Sequence, residues 1–146
     1  MDYEIEFYGD RELIASLERT ADGVINLTSP MREIGMYLRG FFSGEVFASR
    51  GGVIGRPWAP LSTQYAALKA RQWPGRPPLI RSGQMLRSFK STPSQQQVEI
   101  RNTAPYFDWH QDGTTKMPAR VMMAVDMQRT QKVAQIINEH IQRAAA

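Results

Sequence analysis

The feature that most constrains this fold is a run of apolar residues at near-helical spacing between Ser29 and Ala48. Ser29 is a natural helix cap and Pro30 suits a first helical position, so the spacing predicts a helix with one apolar face. That face comprises Met31, Ile34, Leu38, Phe41, Phe42 and Phe47. The same span contains three glycines, Gly35, Gly40 and Gly44. Because each glycine costs a helix about 0.5–1 kcal/mol relative to alanine, we expect compensation from close packing in the core or at a subunit interface.

The rest of the chain predicts short strands and further helices. Alternating apolar and polar residues predict a half-buried edge strand over 2–8, and residues 87–102 suggest two antiparallel strands around a polar loop at 91–97. Ser82 suits the cap of one or two helical turns that contain Met85, Leu86 and Phe89. A helix is predicted over 10–22. A second is predicted from a Ser62 cap to about Gln72, with Tyr65 and Leu68 facing inward, and a third from an Asp126 cap to about Ala145. The expected fold class is α+β, with a small antiparallel sheet packed by three to four helices, the C-terminal one long, in a single domain over 1–146.

The C-terminal helix is predicted to be amphipathic. Its apolar face would carry Met127, Val133, Ile136, Ile137 and Ile141, and its polar face Gln128, Arg129, Gln135, Asn138 and Gln142.

Composition excludes several classes of protein. The chain contains no cysteine, which excludes disulfides, thiolate nucleophiles and cysteine metal sites. No apolar stretch approaches the roughly 18 residues of a membrane span, so no membrane contact is expected. The acidic start, from Met1 to Glu4, lacks the basic and apolar regions of a signal peptide. We therefore expect synthesis in the host cytoplasm.

Charge is distributed unevenly along the chain. Residues 46–98 carry eight basic and no acidic residues, whereas residues 1–45 carry nine acidic and four basic ones. A block of one sign favours contact with a polyanion such as DNA. It is also compatible with pairing to the acidic N-terminal third, within a subunit or between neighbours, and this second interpretation is the favoured one.

Candidate catalytic and metal-binding residues are few. In an extended segment Asp108, His110 and Asp112 would share one face and could ligate a metal, but a local hydrogen bond of His110 at a turn is the favoured interpretation. No serine lies in a G-x-S-x-G elbow, and the glycine-rich loop at 49–60 lacks a GxxxxGK[ST] phosphate-binding pattern. The sequence therefore predicts no enzyme, no catalytic residue, no metal and no cofactor.

An aromatic cluster and one arginine stand out between Val98 and Asp126. The cluster contains Tyr106, Phe107 and Trp109, and Trp58 and Trp73 lie within the basic block. These rings could stack on bases, but anchors of a core or protein interface are favoured. Gly113 suits a positive φ. Arg120 precedes five apolar residues, so we expect it to be partly buried, to bind a carboxylate or several carbonyls, and to pin the 105–113 segment, with Asp108 and Asp112 as the nearest acids.

Three blocks in fixed order resemble a known family. They are Pro57-Trp58-x-Pro60-Leu61-Ser62 with Lys69; Leu79-Ile80-Arg81-Ser82-Gly83-x-x-Leu86; and an aromatic segment ending in His110-Gln111-x-Gly113, followed by Pro118-Ala119-Arg120 and a closing helix. Together they resemble the virion morphogenesis, or tail-completion, proteins of Mu-like and P2-like tailed phages. The resemblance implies a compact α+β structural subunit of the virion that works in a ring.

The resemblance leads to a specific functional hypothesis. The protein would form a ring of six or twelve copies at the head–tail junction, as a neck, tail-completion or tail-terminator protein needed for virion assembly and head–tail joining. Its partners would be itself, other neck or connector proteins and tail tube proteins, with non-specific contact to genome DNA in the channel. The alternatives are a basic DNA-binding protein, or a capsid-assembly factor absent from the mature virion.

Interface residues are expected within 46–60 and 103–120, where the loops at 49–60 and 111–118 would become ordered on meeting a partner. The expected contacts are Arg50, Arg56, Trp58, Tyr106, Trp109, His110 and Arg120.

Overall fold

The computed structural model describes the backbone of residues 4–8 and the chain from residue 26 to residue 145. Three antiparallel strands form one sheet in the order β1–β3–β2: β1 (Glu4–Tyr8), β2 (Phe89–Pro93) and β3 (Gln97–Asn102). Ile5 on β1 and Ser91 on β2 both pair with Ile100 of the central strand. Within the described chain β1 is therefore an edge strand, as predicted. The helix predicted over 10–22 lies outside the described residues.

The long helix predicted from the apolar run is present as α1 (Thr28–Phe41), which continues through a π-helical turn (Phe42–Val46) to Ala48. Ser29 is not its cap. The helix begins at Thr28, two residues before the predicted first position at Pro30, and the side chain of Asn26 accepts a hydrogen bond from the Thr28 amide at 2.9 Å. The π-helical turn explains the irregular end of the run, because its i→i+5 hydrogen bonds widen the helix there, and Phe42 and Phe47, five residues apart, are both buried.

Helix α1 packs across β2 and β3 at one glycine. A Cβ atom at Gly35 would lie 2.9 Å from the Ser91 Cβ and 3.0 Å from the Val98 Cγ2. Close approach to the sheet therefore accounts for this glycine, as predicted. At Gly40 and Gly44 an added Cβ would meet open space, so packing within the chain does not account for these two glycines, and packing at a subunit interface stays a prediction.

The next helix, α2 (Thr63–Gln72), has its predicted cap but the opposite orientation. The Ser62 hydroxyl accepts a hydrogen bond from the Tyr65 amide at 3.2 Å. Tyr65 and Leu68 do not face inward, since each is more than a third exposed, and the buried residue is Lys69. The reason is that α2 does not pack on the apolar side of the sheet. Its buried side chain instead reaches the Pro77 carbonyl, 2.5 Å from the Lys69 Nζ.

Residues 81–87 form bends and turns and not the helical turns predicted after Ser82. The Ser82 hydroxyl does accept from the Gln84 amide at 3.2 Å, but Phe89 already begins β2. Strand pairing competes with helix propagation here, because burying Phe89 in the sheet extends the backbone. The β2–β3 hairpin is confirmed, with a shorter connection at 94–96 than predicted.

Two helices complete the fold. The short α3 (Phe107–Asp112) replaces the extended segment that was considered for 108–112. The long α4 (Met127–Ala145) begins at its predicted cap, where the Asp126 carboxylate accepts from the Arg129 amide at 2.9 Å. Two residues of α4 differ in burial from the prediction. Met127 is 71% exposed, whereas Arg129 is buried.

A single cluster of buried apolar side chains joins α1, the sheet, α3 and α4. Phe89 lies at its centre, 6.0 Å from the Phe107 ring and 5.9 Å from the Phe42 ring between centroids. The observed fold class is therefore α+β, as predicted. None of the helices in the described chain is both long and apolar enough to cross a membrane.

Candidate interaction surface

Gln111 fixes the apolar segment that follows α3. Its Oε1 accepts from the amides of Met122 (2.8 Å) and Met123 (3.1 Å), and its Nε2 donates to the Met123 carbonyl (3.1 Å). The side chain is buried, so it satisfies three backbone groups that would otherwise lack partners away from water. The sequence alone does not single out Gln111. The available signal was its place in the His110-Gln111-x-Gly113 block, close to an apolar run with no predicted strand partner.

Gly113 turns the chain so that the residues after it return to α3. Its φ of 76° is positive, as predicted, and a Cβ there would lie only 2.6 Å from the Ala119 amide nitrogen. The returning chain is then fastened by the Arg120 amide, which donates to the His110 carbonyl at 2.7 Å. The glycine therefore serves the close approach of two backbone segments.

The Arg120 side chain is buried, and its hydrogen bonds run to backbone carbonyls. Its Nε donates to the Ala59 carbonyl at 2.9 Å, and a terminal nitrogen donates to the Pro60 carbonyl at 3.0 Å. Burial lowers the pKa of Arg120. The prediction of partial burial and carbonyl partners is confirmed. The prediction that the Arg120 side chain holds the 105–113 segment is wrong. The backbone amide of Arg120 holds that segment, and the guanidinium holds residues 59–60.

Trp58 joins the 49–60 loop to the residue that follows Arg120. Its indole nitrogen donates to the Val121 carbonyl at 2.8 Å, and its ring meets Phe47 edge-on with centroids 5.3 Å apart. Gly51, with a φ of 80°, lies against this ring, and a Cβ there would come within 2.7 Å of it. Trp58 is therefore a core anchor, and the loop around it is closed by the Trp58 amide donating to the Arg50 carbonyl at 2.8 Å.

A cavity of about 220 Å³ opens between α2, the 79–85 segment and α3. Lys69, Arg81 and His110 bring polar groups to it, and Tyr65, Leu79 and Tyr106 are among its apolar and aromatic walls. Burial lowers the pKa of Lys69, and the charges of Arg120, Arg50 and Arg81 lower it further. Burial, followed by the charge of Arg120, also lowers the pKa of His110. Several cations therefore act on one small space.

The helical geometry separates His110 from the two neighbouring aspartates. Because residues 107–112 are helical, Asp108 and Asp112 lie one turn apart on one face, whereas His110, two residues from each, points to a different face. The described chain contains no cluster of three or more metal-ligating side chains. The Nδ1 atom of His110 does not form the favoured local hydrogen bond, because it is buried and no partner for it exists among the described residues.

The seven predicted contact residues fall into three groups. Arg50, Arg56 and Trp109 are exposed, and Trp109 retains 61% of its accessible surface. Tyr106 and His110 are half-buried beside the cavity, with ring centroids 6.2 Å apart. Trp58 and Arg120 are buried, and their polar groups bind carbonyls of the same chain. A partner contact remains a prediction for all seven.

The basic block is largely on the surface. Seven of its eight charged side chains are exposed, and Lys69 is the buried one. Over the chain that the structure describes, none of the eight forms an ion pair; the ion pairs there are Glu99–Arg101, Glu45–Arg129 and Asp126–Arg129. Pairing with acids at residues 9–25 lies outside the described residues.

Arg129 is a further charged residue that the sequence placed on a polar face. Its guanidinium pairs with Glu45 of the π-helical turn and with Asp126 at 3.2 Å, and it lies 4.4 Å from the centroid of the Phe41 ring. It therefore ties α4 to the end of α1. The spacing of the apolar residues gave no sign of this contact, because Glu45 and Phe41 come from a distant part of the chain.

The geometry describes an α+β subunit with exposed basic and aromatic side chains and no catalytic constellation among its described residues. A family model for the phage virion morphogenesis family matches residues 10–142. The chain belongs to this family, and so to the bacteriophage proteins of virion morphogenesis. No curated protein and no solved structure matches the chain.

Proposed function

We propose that this protein is a structural virion component that forms an oligomeric ring at the head–tail junction, where it joins the head to the tail. The observation that carries the proposal is membership of the phage virion morphogenesis family across nearly the whole chain. A ring of six or twelve copies would contact neck or connector proteins on one side and tail tube proteins on the other.

The surface of the subunit supports a role in assembly. Met36, Trp109 and Met127 each keep more than half of their surface exposed, and large apolar side chains of this kind commonly anchor protein interfaces. Met36 shares the outer face of α1 with Gly40, where no atom would meet an added Cβ. Neighbouring subunits could approach this face closely.

The charge distribution suits repeated contacts between copies. Exposed bases at Arg50 and Arg56 lie on a loop closed by its own hydrogen bonds, while the acidic residues of the chain concentrate in residues 1–45. Head-to-tail contacts in a ring join different surfaces of the same subunit, so segregated charge supplies complementary faces. The compact body would set the ring geometry, and the loops would meet the neighbouring proteins.

The test is the native mass of the purified protein, measured by mass photometry across about 50 to about 500 mM salt. Six copies of the 16.6 kDa chain give about 100 kDa, and twelve give about 200 kDa. A species of either mass, seen as a ring by electron microscopy, is the expected result. Trp109→Ser should weaken this species without unfolding the monomer, because the indole is exposed.

A ring that forms only on a partner requires a second measurement. Phage produced without a working copy of this gene should accumulate separate heads and tails, and purified wild-type particles should contain the protein at a fixed copy number. Normally joined particles in its absence would overturn the proposal. Loss of joined particles together with absence of the protein from wild-type virions would instead indicate a capsid-assembly factor.

A second candidate, binding to DNA as a monomer or dimer, is favoured by the seven exposed bases of residues 46–98. It predicts an affinity for duplex DNA that falls steeply with salt, because each neutralised phosphate releases counterions. A chain that stays monomeric and binds DNA with a steep salt slope would support this candidate over the ring.

A further inference from the structure

The cavity beside α2 contains a recessed cation, the Lys69 ammonium, for which one hydrogen bond is described. Lys69 is 4% exposed, and its ammonium group has three donors, of which one is given to the Pro77 carbonyl. Among the described residues that line the cavity none is acidic, and Lys69 forms no ion pair within the described chain. A buried ammonium normally has a compensating anion, so this one is open to an anion from outside.

Other polar groups converge on the same space. Arg81 lines the cavity and is exposed on its solvent side, where its guanidinium also lies 4.7 Å from the centroid of the Trp73 ring. His110 lines it too, and its buried Nδ1 has no partner among the described residues. In the tautomer that carries a proton on Nδ1, this ring would be a further donor.

We propose that this cavity binds a carboxylate side chain presented by a partner protein, with Lys69 at its buried end and Arg81 at its mouth. The inference deepens the proposed function, on which it rests for the existence of a partner, by naming the chemistry that the partner supplies. The apolar walls around Leu79 and Tyr65 would cover the aliphatic part of the partner's side chain or of its neighbour.

The geometry favours a carboxylate over a phosphate of duplex DNA. A volume of about 220 Å³ accommodates one side chain, and the ammonium of Lys69 lies beneath residues that exclude most of its surface from solvent. The phosphates of a duplex are borne on a wide, stiff backbone, and they suit exposed bases such as Arg56 and Arg76. A carboxylate at the end of a flexible side chain can enter a recess that a duplex cannot.

The surroundings of Lys69 disfavour its ammonium when no anion is bound. The Lys69 pKa is lowered by burial and by Arg120, Arg50 and Arg81, which shows that positive charges surround the ammonium. An entering carboxylate would relieve this repulsion and pair with donors already held in place by Pro77 and Trp73. Such preorganisation reduces the entropy lost on binding.

The experiment is a titration of the full-length protein followed by the ring signals of its two histidines in NMR spectra. The probes are the capped dipeptide acetyl-leucyl-glutamate amide and its glutamine counterpart, which differ in the carboxylate, together with inorganic phosphate and a short DNA duplex. The glutamate peptide should shift the His110 signals saturably, at least tenfold more tightly than the glutamine peptide, while the His140 signals stay in place.

Two variants assign the effect to the cavity. Lys69→Met keeps most of the apolar stem and should abolish the shift, whereas Lys132→Met, which removes an exposed lysine on α4, should leave it unchanged. If Lys69→Met fails to fold, Arg81→Gln at the exposed mouth should weaken binding at least fivefold.

Equal binding of the two peptides, tighter binding of phosphate or duplex than of the glutamate peptide, or no shift at His110 would each overturn the inference. Failure of the ring proposal would look different. The glutamate peptide would still bind the isolated chain, but no ring would form and particles would join without the protein.

Discussion

Two regions of this molecule are stable for different reasons. In the region formed by α1 and the sheet, hydrophobic burial dominates, and Phe42, Val98 and Ile100 are fully enclosed. In residues 104–125, regular structure is limited to the short α3 and one isolated bridge between Thr114 and Met117. Phe107 and Met122 pack this second region onto the apolar core, and side-chain-to-backbone hydrogen bonds hold its segments to one another and to residues 58–60.

The difference explains why the recognisable motifs lie where they do. Apolar packing tolerates exchange among side chains of similar volume, whereas a hydrogen bond to a buried carbonyl or amide demands one side chain of the right length. Trp58, Gln111, Gly113 and Arg120 belong to the blocks that resemble the family, and each has such a geometric role. Residues that suggested a partner surface are therefore, in these cases, the ones that build the second region.

The largest expected effect is in the packed region. Phe42→Ala should lower the free energy of unfolding by about 3–5 kcal/mol, because a fully buried ring is lost and the surrounding helix and strand cannot close the space. Urea unfolding followed by circular dichroism measures this. Met36→Ala, on the exposed face of the same helix, should change stability by less than about 0.5 kcal/mol. Similar losses in the two variants would contradict the assignment of the core.

Gln111→Ala tests the hydrogen-bonded region. Three backbone groups of Met122 and Met123 would lose their partner, and the expected destabilisation is about 3 kcal/mol because each orphaned buried group costs about 1–3 kcal/mol before relaxation. Hydrogen exchange should show lost protection at Met122 and Met123 and retained protection at Ile100. The exposed Gln131→Ala serves as the control. Equal loss of protection at Ile100 would mean that the two regions unfold as one.

A pair of glycine substitutions sharpens the comparison within α1. Gly35→Ala should destabilise the protein by about 1–2 kcal/mol, since its Cβ would overlap Ser91 and Val98 and outweigh the gain in helix propensity. Gly40→Ala should stabilise the monomer by about 0.5–1 kcal/mol, because nothing lies within 4 Å of the added atom. Thermal unfolding measures the direction of the stability change in each variant. Equal signs would show that the helix does not approach the sheet at Gly35 as described.

The Gly40→Ala substitution also tests whether this face of α1 contacts a neighbouring subunit in the ring. A Gly40→Ala protein that is more stable but no longer assembles would place a neighbouring subunit on this face of α1. Assembly that is unchanged would remove that face from the interface.

The smallest expected effect concerns pH in the second region. Burial and the charge of Arg120 lower the pKa of His110 below 6.5, so between that lowered pKa and 6.5 the unfolded chain binds the proton more readily. The free energy of unfolding should therefore fall as pH is lowered through this window and recover above it. His110→Gln should reduce this pH dependence and His140→Gln should not, as measured by urea unfolding at pH 5.5 and 7.5. An identical slope in all three proteins would contradict burial of the His110 ring.

Local patterns predicted the elements whose determinants are local. The apolar run after Pro30, the Ser62 and Asp126 caps, the alternation around Val98 and the positive φ at Gly113 each depend on residues within a few positions of one another. These signals were sufficient for the α+β class and for most element boundaries. The predicted turns after Ser82 failed because strand pairing, a non-local interaction, determines the conformation there.

The amino-acid sequence by itself determined the helices α1, α2 and α4, the hairpin, the absence of cysteine chemistry and the segregation of charge. Apart from Arg120, whose partial burial was predicted, only the tertiary structure decided which polar residues would be buried. Lys69, Gln111 and Arg129 have no apolar periodicity to mark them, and Gln111 and Arg129 find partners more than ten residues away. The physical reason is that burial of a polar group depends on whether a distant backbone segment or charge arrives to satisfy it, and the chain reveals this only once it is folded.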